Sequence, residues 1–358
     1  MKTYLRPVAF IDSPVGFDGA AVRLAGGLLW FSAVEMIRRD GAQVARELHS
    51  VSSIEDVLPN LGPDAEAQWQ WLTAVRPALQ LGTRTVRLDQ PQVVGILNVT
   101  PDSFSDGGAH AEPEAALAAA HTMTAAGAAI IDVGGESTRP GARPVFEGDE
   151  GQRVMPVVRP LAASGTAVSI DTRKAGIANQ ALEAGAGLVN DVSALTYDPR
   201  MAAVVARAGA PVVLMHHVGE PETMQQAPRY DGPVTLEVFD WLEERIAAAE
   251  SAGIARDKII VDPGIGFGKT VQHNLEIMNN LALLHGLGCP LMVGASRKRT
   301  IGALSNEAPA DQRLGGSLTF ALKAIDQGAH LVRVHDVFET VQAIRVWRGL
   351  RDAGLTAG

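Results

Sequence analysis

From residue 93 onward one pattern repeats eight times. A short β-branched apolar run ends in a polar or glycine-rich loop, and an Ala/Leu-rich helical stretch follows. The runs are 93–99, 130–134, 167–171, 187–192, 211–216, 259–262, 290–294 and 331–335. The helical patterns cover 113–126, 149–163, 174–184, 199–208, 234–252, 272–285, 311–327 and 338–351. The runs are almost continuously apolar, as parallel strands are when helices cover them on the outside. Eight strand–helix units in about 260 residues predict an α/β chain folded as a (β/α)8 barrel. Gly127, Gly185, Gly209, Gly253, Gly286 and Gly328 each follow an apolar helical stretch, where a left-handed C-terminal cap belongs. A doubly wound open sheet would use the same elements. Eight regular repeats, and no Gly-x-Gly-x-x-Gly in the first turn, count against it.

Residues 1–90 break the rhythm. They hold apolar pieces at 7–11 and 28–37, a helical pattern carrying Trp69 and Trp71, and a Gly-Thr-Arg turn before Val86. We expect a small N-terminal α/β appendage over 1–90, covering the barrel or making an oligomer contact, and a catalytic barrel over 91–352. The appendage contains no motif that points to chemistry.

Charge and composition narrow the partners. The formal net charge is -9 and the basic residues are scattered, the opposite of what a non-specific nucleic-acid binder needs to neutralise phosphates. No nucleic-acid partner is expected, and only a local cationic pocket remains open. The one cysteine, Cys289, suits a reducing compartment. No apolar run reaches the roughly 20 residues that span a bilayer, and Asp12 and Pro14 interrupt the early apolar stretch. A cytoplasmic protein without membrane contact is the expectation.

In a parallel barrel the βα loops converge at the C-terminal ends of the strands, so the residues ending each strand matter most. They are Asn98; Asp132; Asp171; Asn190 with Asp191; Met215 with His216; Asp262; Ser296, Arg297 and Lys298; and Arg333, His335 and Asp336. Side chains on a strand alternate faces. Val332 and Val334 suit the helix-packed outside, so Arg333 and His335 should point into the mouth, and Ser169 pairs with Asp171 in the same way. Taken singly, Asp132 or Asp191 could equally be a structural hydrogen-bond partner. Charged groups converging from several strands instead imply something polar held between them, because buried charge is costly unless matched.

Three features invite other readings. Gly264-Ile265-Gly266-Phe267-Gly268-Lys269-Thr270 resembles a phosphate loop but has three residues, not four, between Gly and Gly-Lys. His216 and His217 are adjacent, so on a strand they would face opposite ways, and no acidic or histidine cluster completes a zinc site. The Arg297-Lys298-Arg299 cluster lacks interleaved aromatic residues and suits a local anion or ring contact better than nucleic acid. Arg333, His335 and the Asn98 loop point to an anionic group, since arginine binds phosphate oxygens bidentately. Mg2+ could arrive with such phosphates and take few protein ligands. Asp171, Asn190, Asp262 and Lys298 offer acceptors, an amide and donors that a flat heterocycle with ring N–H, amino and carbonyl groups would satisfy.

The segments carrying these residues resemble the dihydropteroate synthase family of pterin-binding barrels. The similar stretches are Val94-Gly95-Ile96-Leu97-Asn98-Val99-Thr100-Pro101-Asp102-Ser103-Phe104-Ser105-Asp106-Gly107-Gly108 and Ile131-Asp132-Val133-Gly134-Gly135-Glu136-Ser137-Thr138-Arg139-Pro140-Gly141. Ser169-Ile170-Asp171-Thr172, Asn190-Asp191-Val192, Asp262 to Lys269, Ser296-Arg297-Lys298 and Arg333-Val334-His335-Asp336-Val337 follow in order. The resemblance covers about residues 92–350. It implies joining 7,8-dihydropterin-6-ylmethyl diphosphate to 4-aminobenzoate, a sulfonamide-sensitive step of folate biosynthesis, with Mg2+ as cofactor and a homodimer as the assembly. Asp171, Asn190, Met215, Asp262 and Lys298 would then hold the pterin. Asn98, Arg333 and His335 would hold the diphosphate, with Asn98 on the metal. Phe104, Thr138, Arg139, Pro140, Phe267 and Ser296 would frame the aminobenzoate. Lys298, Asp171, Arg333 and His335 carry catalysis in this reading. A methyltetrahydrofolate-dependent methyltransferase barrel would have no use for Arg333 and His335 or for the first two segments. A catalytically silent paralogue would show eroded loops, and these are intact. His217, where the family commonly has methionine, and the N-terminal appendage are departures.

Overall fold

The computed structural model describes residues 1–100, 111–137, 144–219 and 228–356. The chain opens with β1 (Lys2–Ile11), β2 (Val22–Arg23), β3 (Trp30–Asp40) and β4 (Gln43–Ser50). β3 is central and antiparallel to all three, with β1 along one edge and β2 and β4 along the other. Residue alternation gives the sheet two apolar faces. Leu5, Val34 and Met36 pack on Val51, Ile54, Trp69 and Leu72, which come from α1 (Val51–Val57) and α2 (Pro63–Thr73). Tyr4 and Ile37, one residue out of phase, turn instead into the core of the barrel. The Tyr4 hydroxyl donates to Asp240 at 2.9 Å, and Lys2 reaches Asp240 at 2.7 Å.

A hairpin follows, β5 (Leu79–Leu81) and β6 (Arg84–Val86). Leu79, Leu81, Val86 and Leu88 are buried against Val94, Ile130, Leu188, Val213, Ile260 and Leu331, inward-facing residues at the N-terminal ends of the barrel strands. The hairpin therefore stoppers the bottom of the barrel. Gly187 permits this approach, since a Cβ there would lie 2.6 Å from the Leu81 Cα.

The barrel itself runs β7 (Gln92–Asn98), α3 (Ala111–Ala126), β8 (Ile130–Gly134), α4 (Glu147–Ala163), β9 (Val168–Asp171), α5 (Ala175–Glu183), β10 (Leu188–Asp191), α6 (Met201–Ala208), β11 (Val212–Met215), α7 (Val234–Ser251), β12 (Ile259–Asp262), α8 (Val271–Asn279), β13 (Met292–Val293), α9 (Arg299–Leu304), α10 (Leu314–Ile325), β14 (Leu331–Val334) and α11 (Val337–Thr356). All eight strands are parallel, in the order β12-β11-β10-β9-β8-β7-β14-β13. Among the described residues, the ends meet through one bridge, between Val261 and Leu291. The (β/α)8 expectation holds. Outward positions such as Ile131, Val133, Ile170, Val332 and Val334 join the helices in one core.

Three local expectations change. The 272–285 helix stops at Asn279 and gives way to a 3-10 segment, Leu281–Leu287. Asn280 breaks it, its own side chain donating to Glu276 O at 2.8 Å. Gly286 lies inside that segment, and the left-handed cap is Gly288, with φ 79°. The other five proposed cap glycines have positive φ. The seventh strand is two residues long because Pro290 has no N–H to give and the Leu291 N–H donates to His330 Nδ1 at 3.0 Å.

The stopper yields a prediction. Leu81→Ala should lower unfolding free energy by about 2–4 kcal/mol, the usual cost of emptying a buried leucine site. Urea denaturation checks this. A loss under about 1 kcal/mol would mean that the hairpin is loosely packed.

Candidate active site

The inward positions at the strand ends converge as parity requires. Asn98, Gly134 and Asp171 lie in register across β7, β8 and β9, and Asn190 continues the row on β10. Arg333, from β14, donates from Nε to Asp132 Oδ2 at 2.6 Å and from Nη2 to Asp171 Oδ2 at 2.7 Å. Asn190 Nδ2 donates to the same Asp132 oxygen at 2.9 Å. One guanidinium thus ties acids from two strands, and an amide from a third joins them. The sequence placed Asp132 among the strand-end residues but left a structural role equally open; its inward parity, shared with Gly134, is the signal that places it here.

Charge balance shapes the ionisation of this cluster. Burial raises the Asp171 carboxyl to about 7; the Arg333 charge opposes that rise and the neighbouring Asp132 adds to it. Burial alone would lower the Arg333 guanidinium, but Asp132 and Asp171 hold it above its ordinary value. Asp132 Oδ1 and Ser169 Oγ, on residues paired across β8 and β9, are buried with no hydrogen-bond partner. Unmatched polar atoms at the floor of a cleft are costly, and a bound polar molecule or water would satisfy them.

Across the mouth, Asp262 Oδ1 accepts from Gly264 N at 2.7 Å, and Lys298 donates to Ile265 O. The Lys298 ammonium lies 4.4 Å from the centre of the Phe267 ring. Burial pulls its pKa down to about 8, with Asp262 opposing the shift. Ser296 and Lys298 flank Arg297, which adopts φ +57°, a strained conformation for a non-glycine residue. That turn is over-determined. Arg297 N donates to Ser317 Oγ at 2.9 Å, Arg297 Nε to Asp336 at 3.0 Å, and Arg313 caps Arg297 O at 2.9 Å. Ser296 Oγ in turn lies 3.1 Å from His335 Nδ1. Met215 is buried on the inner face of β11.

The glycine loop after β12 is no phosphate loop. The Lys269 side chain is buried and folds back under its own turn. It donates to His216 Nδ1 at 2.8 Å, Gly264 O at 2.9 Å and Phe267 O at 3.0 Å. It therefore pins the turn carrying Ile265 and Phe267 and does not reach outward. His216 and His217 follow the strand, which ends at Met215. They do not point oppositely as expected: both rings pack against Trp241, at 4.9 and 5.7 Å. Asp191 faces outward and accepts from Ser193 N and Leu195 N, both at 2.8 Å, which is a structural role.

Below the loop after β8, sequence reading missed an ionic knot. Lys174 bridges Glu136 and Glu150, Arg173 joins Glu136 at 3.0 Å, and Thr172 donates to Glu150 at 2.6 Å. Its members come from two loops and one helix, and no spacing in the sequence links them. Phe104, Thr138, Arg139 and Pro140 lie outside the described residues.

A family model described as "Pterin binding enzyme" matches residues 94–335. The dihydropteroate synthase of Escherichia coli strain K12 is 50% identical over 260 residues, 72% of this chain and 91% of that one. The Xanthomonas albilineans dihydropteroate synthase solved with 4-aminobenzoic acid aligns with a TM-score of 0.73 at 45% identity, covering 77% of this chain and 99% of that one. The Yersinia pestis dihydropteroate synthase solved with a sulfonamide drug complex gives 0.72 at 44%, with the same coverages.

The Lys298 pKa generates a prediction. If the ammonium is the working form, kcat/KM should fall as pH rises through about 8. Lys298→Arg should move that basic limb upward by at least one pH unit, because arginine stays protonated to pH ~12. A pH–rate profile whose basic limb stays in place in this variant contradicts the assignment.

Proposed function

This chain belongs to the pterin binding enzyme family, and from that premise we propose how its barrel mouth divides the labour of dihydropteroate synthase activity. The reaction joins 7,8-dihydropterin-6-ylmethyl diphosphate to 4-aminobenzoate and gives 7,8-dihydropteroate and diphosphate. Asp171 and Asp262 accept from the edge of the pterin, the Asn190 amide accepts and donates, Lys298 donates to it, and Met215 packs on its ring. Arg333, His335 and Asn98 take the diphosphate. Phe267 and Ser296 line the aminobenzoate side, where we also place Phe104, Thr138, Arg139 and Pro140. One observation carries this reading: the Arg333 guanidinium is held by Asp132 and Asp171 on the inner face of the strand ends. Two of its N–H donors are committed to Asp132 and Asp171, and a guanidinium has five, so donors remain for phosphate oxygens.

The chemistry needs charge management more than a nucleophile. The methylene C–O bond breaks, and diphosphate leaves with the electron pair. The neutral aryl amine attacks the carbon, then loses a proton to solvent. Arg333 and His335 stabilise the charge that develops on the departing diphosphate. Asp171 and Asp262 stabilise positive charge spread over the pterin.

Mg2+ fits as a cofactor carried by the diphosphate. The Asn98 amide oxygen is a hard donor on the inner face of its strand end. Among the described residues, no group of three or more His, Cys, Asp or Glu is placed to hold a metal alone. When bound, the ion would neutralise leaving-group charge.

We also propose a cytoplasmic homodimer. Phe338, Val346 and Leu350 are exposed on α11 and Leu314 on α10, an apolar flank that a second copy would cover. Among the described residues, no helix is long and apolar enough to cross a membrane.

Two tests follow. With pterin diphosphate, 4-aminobenzoate and Mg2+ supplied, dihydropteroate and diphosphate should form together. Lys298→Ala and Asp171→Ala should each cut kcat/KM by about 10²–10³-fold or more with the circular dichroism spectrum unchanged; near-normal turnover in either refutes its role. In sedimentation, Val346→Glu with Leu350→Glu should convert a dimer to a monomer; an unchanged mass refutes this interface.

A further inference from the structure

Roughly a quarter of this chain falls outside the matches to its relatives, although they are themselves covered almost end to end, and the matched family segment starts only at residue 94. We propose that residues 2–76 are a brace on the thinnest joint of the barrel, the seam between β12 and β13, and that through β13 the brace positions Ser296 and Lys298. The seam is thin for a chemical reason. Pro290 has no N–H to give to β12. Pro290 O accepts from Val261 N at 2.9 Å, and among the described residues the two strands meet only in the single Val261–Leu291 bridge. Elsewhere in the barrel, neighbouring strands pair over at least two residues in register.

The N-terminal segment grips the chain that feeds this joint. Arg6 donates to Asn280 Oδ1, where α8 breaks. Arg76, buried, donates from one nitrogen to both Trp71 O at 2.7 Å and His285 O at 3.1 Å. The Trp71 ring lies so close to Gly288 that a Cβ there would fall 2.9 Å from it. On the same ring sits Arg256, 4.4 Å from its centre, whose other donor holds Leu287 O at 2.8 Å. Both ends of the 281–288 stretch are thus held from the N-terminal segment. From Gly288 the chain runs straight into β13 and then to Ser296 and Lys298. A segment that merely added bulk stability would protect every strand alike; a brace protects this joint first.

The link to Lys298 rests on the role proposed for it above, but the brace itself is measured without turnover. In the full chain, Trp71→Ala with Arg76→Met should speed amide hydrogen exchange across 281–293 by about tenfold or more, with 130–134 and 168–171 unchanged, since local opening exposes one unit at a time. kcat for dihydropteroate formation should fall at least threefold. Unchanged exchange at 281–293, or an equal rise in all three segments, overturns the brace. Faster exchange at the seam with unaltered kcat overturns its link to Lys298. If the double variant does not accumulate folded, Trp71→Leu alone carries the same comparison. An inactive unmodified chain would count against the proposed reaction and leave the exchange result standing.

Discussion

Three charges, the buried carboxylates of Asp132 and Asp171 and the partly buried guanidinium of Arg333, hold the mouth of this barrel together. Taking such groups out of water is costly unless they are paired. Together they are matched: Arg333 is pulled toward charge by both acids, and burial pushes Asp171 up only as far as about 7. The arrangement exists because parity on β8, β9 and β14 turns these positions inward, and the long Arg333 side chain spans from Asp132 to Asp171. A polar cluster at this depth constrains everything around it, since any shift of a strand by one residue would send the acids into the helical layer.

The scaffold secures that arrangement from below and from the side. The β5–β6 hairpin fills the bottom with leucine and valine, so the polar residues are confined to the upper layers. The Lys269 pin and the over-determined Arg297 turn hold the β12 and β13 loops, and with them Phe267, Ser296 and Lys298. Those loops flank the one seam where the strands contribute little pairing of their own. Precision at the site is therefore supplied by contacts beyond the strands.

Much of this was legible in the chain. The eight apolar runs and their polar endings locate the barrel and its mouth, and the alternation Val332-Arg333-Val334-His335 gives the inward face without coordinates. What escaped reading was non-local. Asp132 looks like any strand carboxylate until Arg333, far away in sequence, arrives from β14, two strands along the ring. The Glu136, Glu150 and Lys174 knot joins residues whose spacing carries no pattern. The helix break at Asn280 is set by side-chain hydrogen bonding that overrides an apolar period, and the packing of both histidines on Trp241 follows from where β11 stops. In the N-terminal region, Trp69 and Trp71 announce a helix, but not that one serves the internal core and the other presses on Gly288.

The most direct measurement of the central claim is a double-mutant cycle on Asp171→Asn and Arg333→Met, read as affinity for pterin diphosphate by calorimetry. If the two charges act as one unit that joins the pterin and diphosphate ends, the losses should be non-additive by about 1 kcal/mol or more. Losses that add within about 0.3 kcal/mol would show two independent subsites and contradict the account.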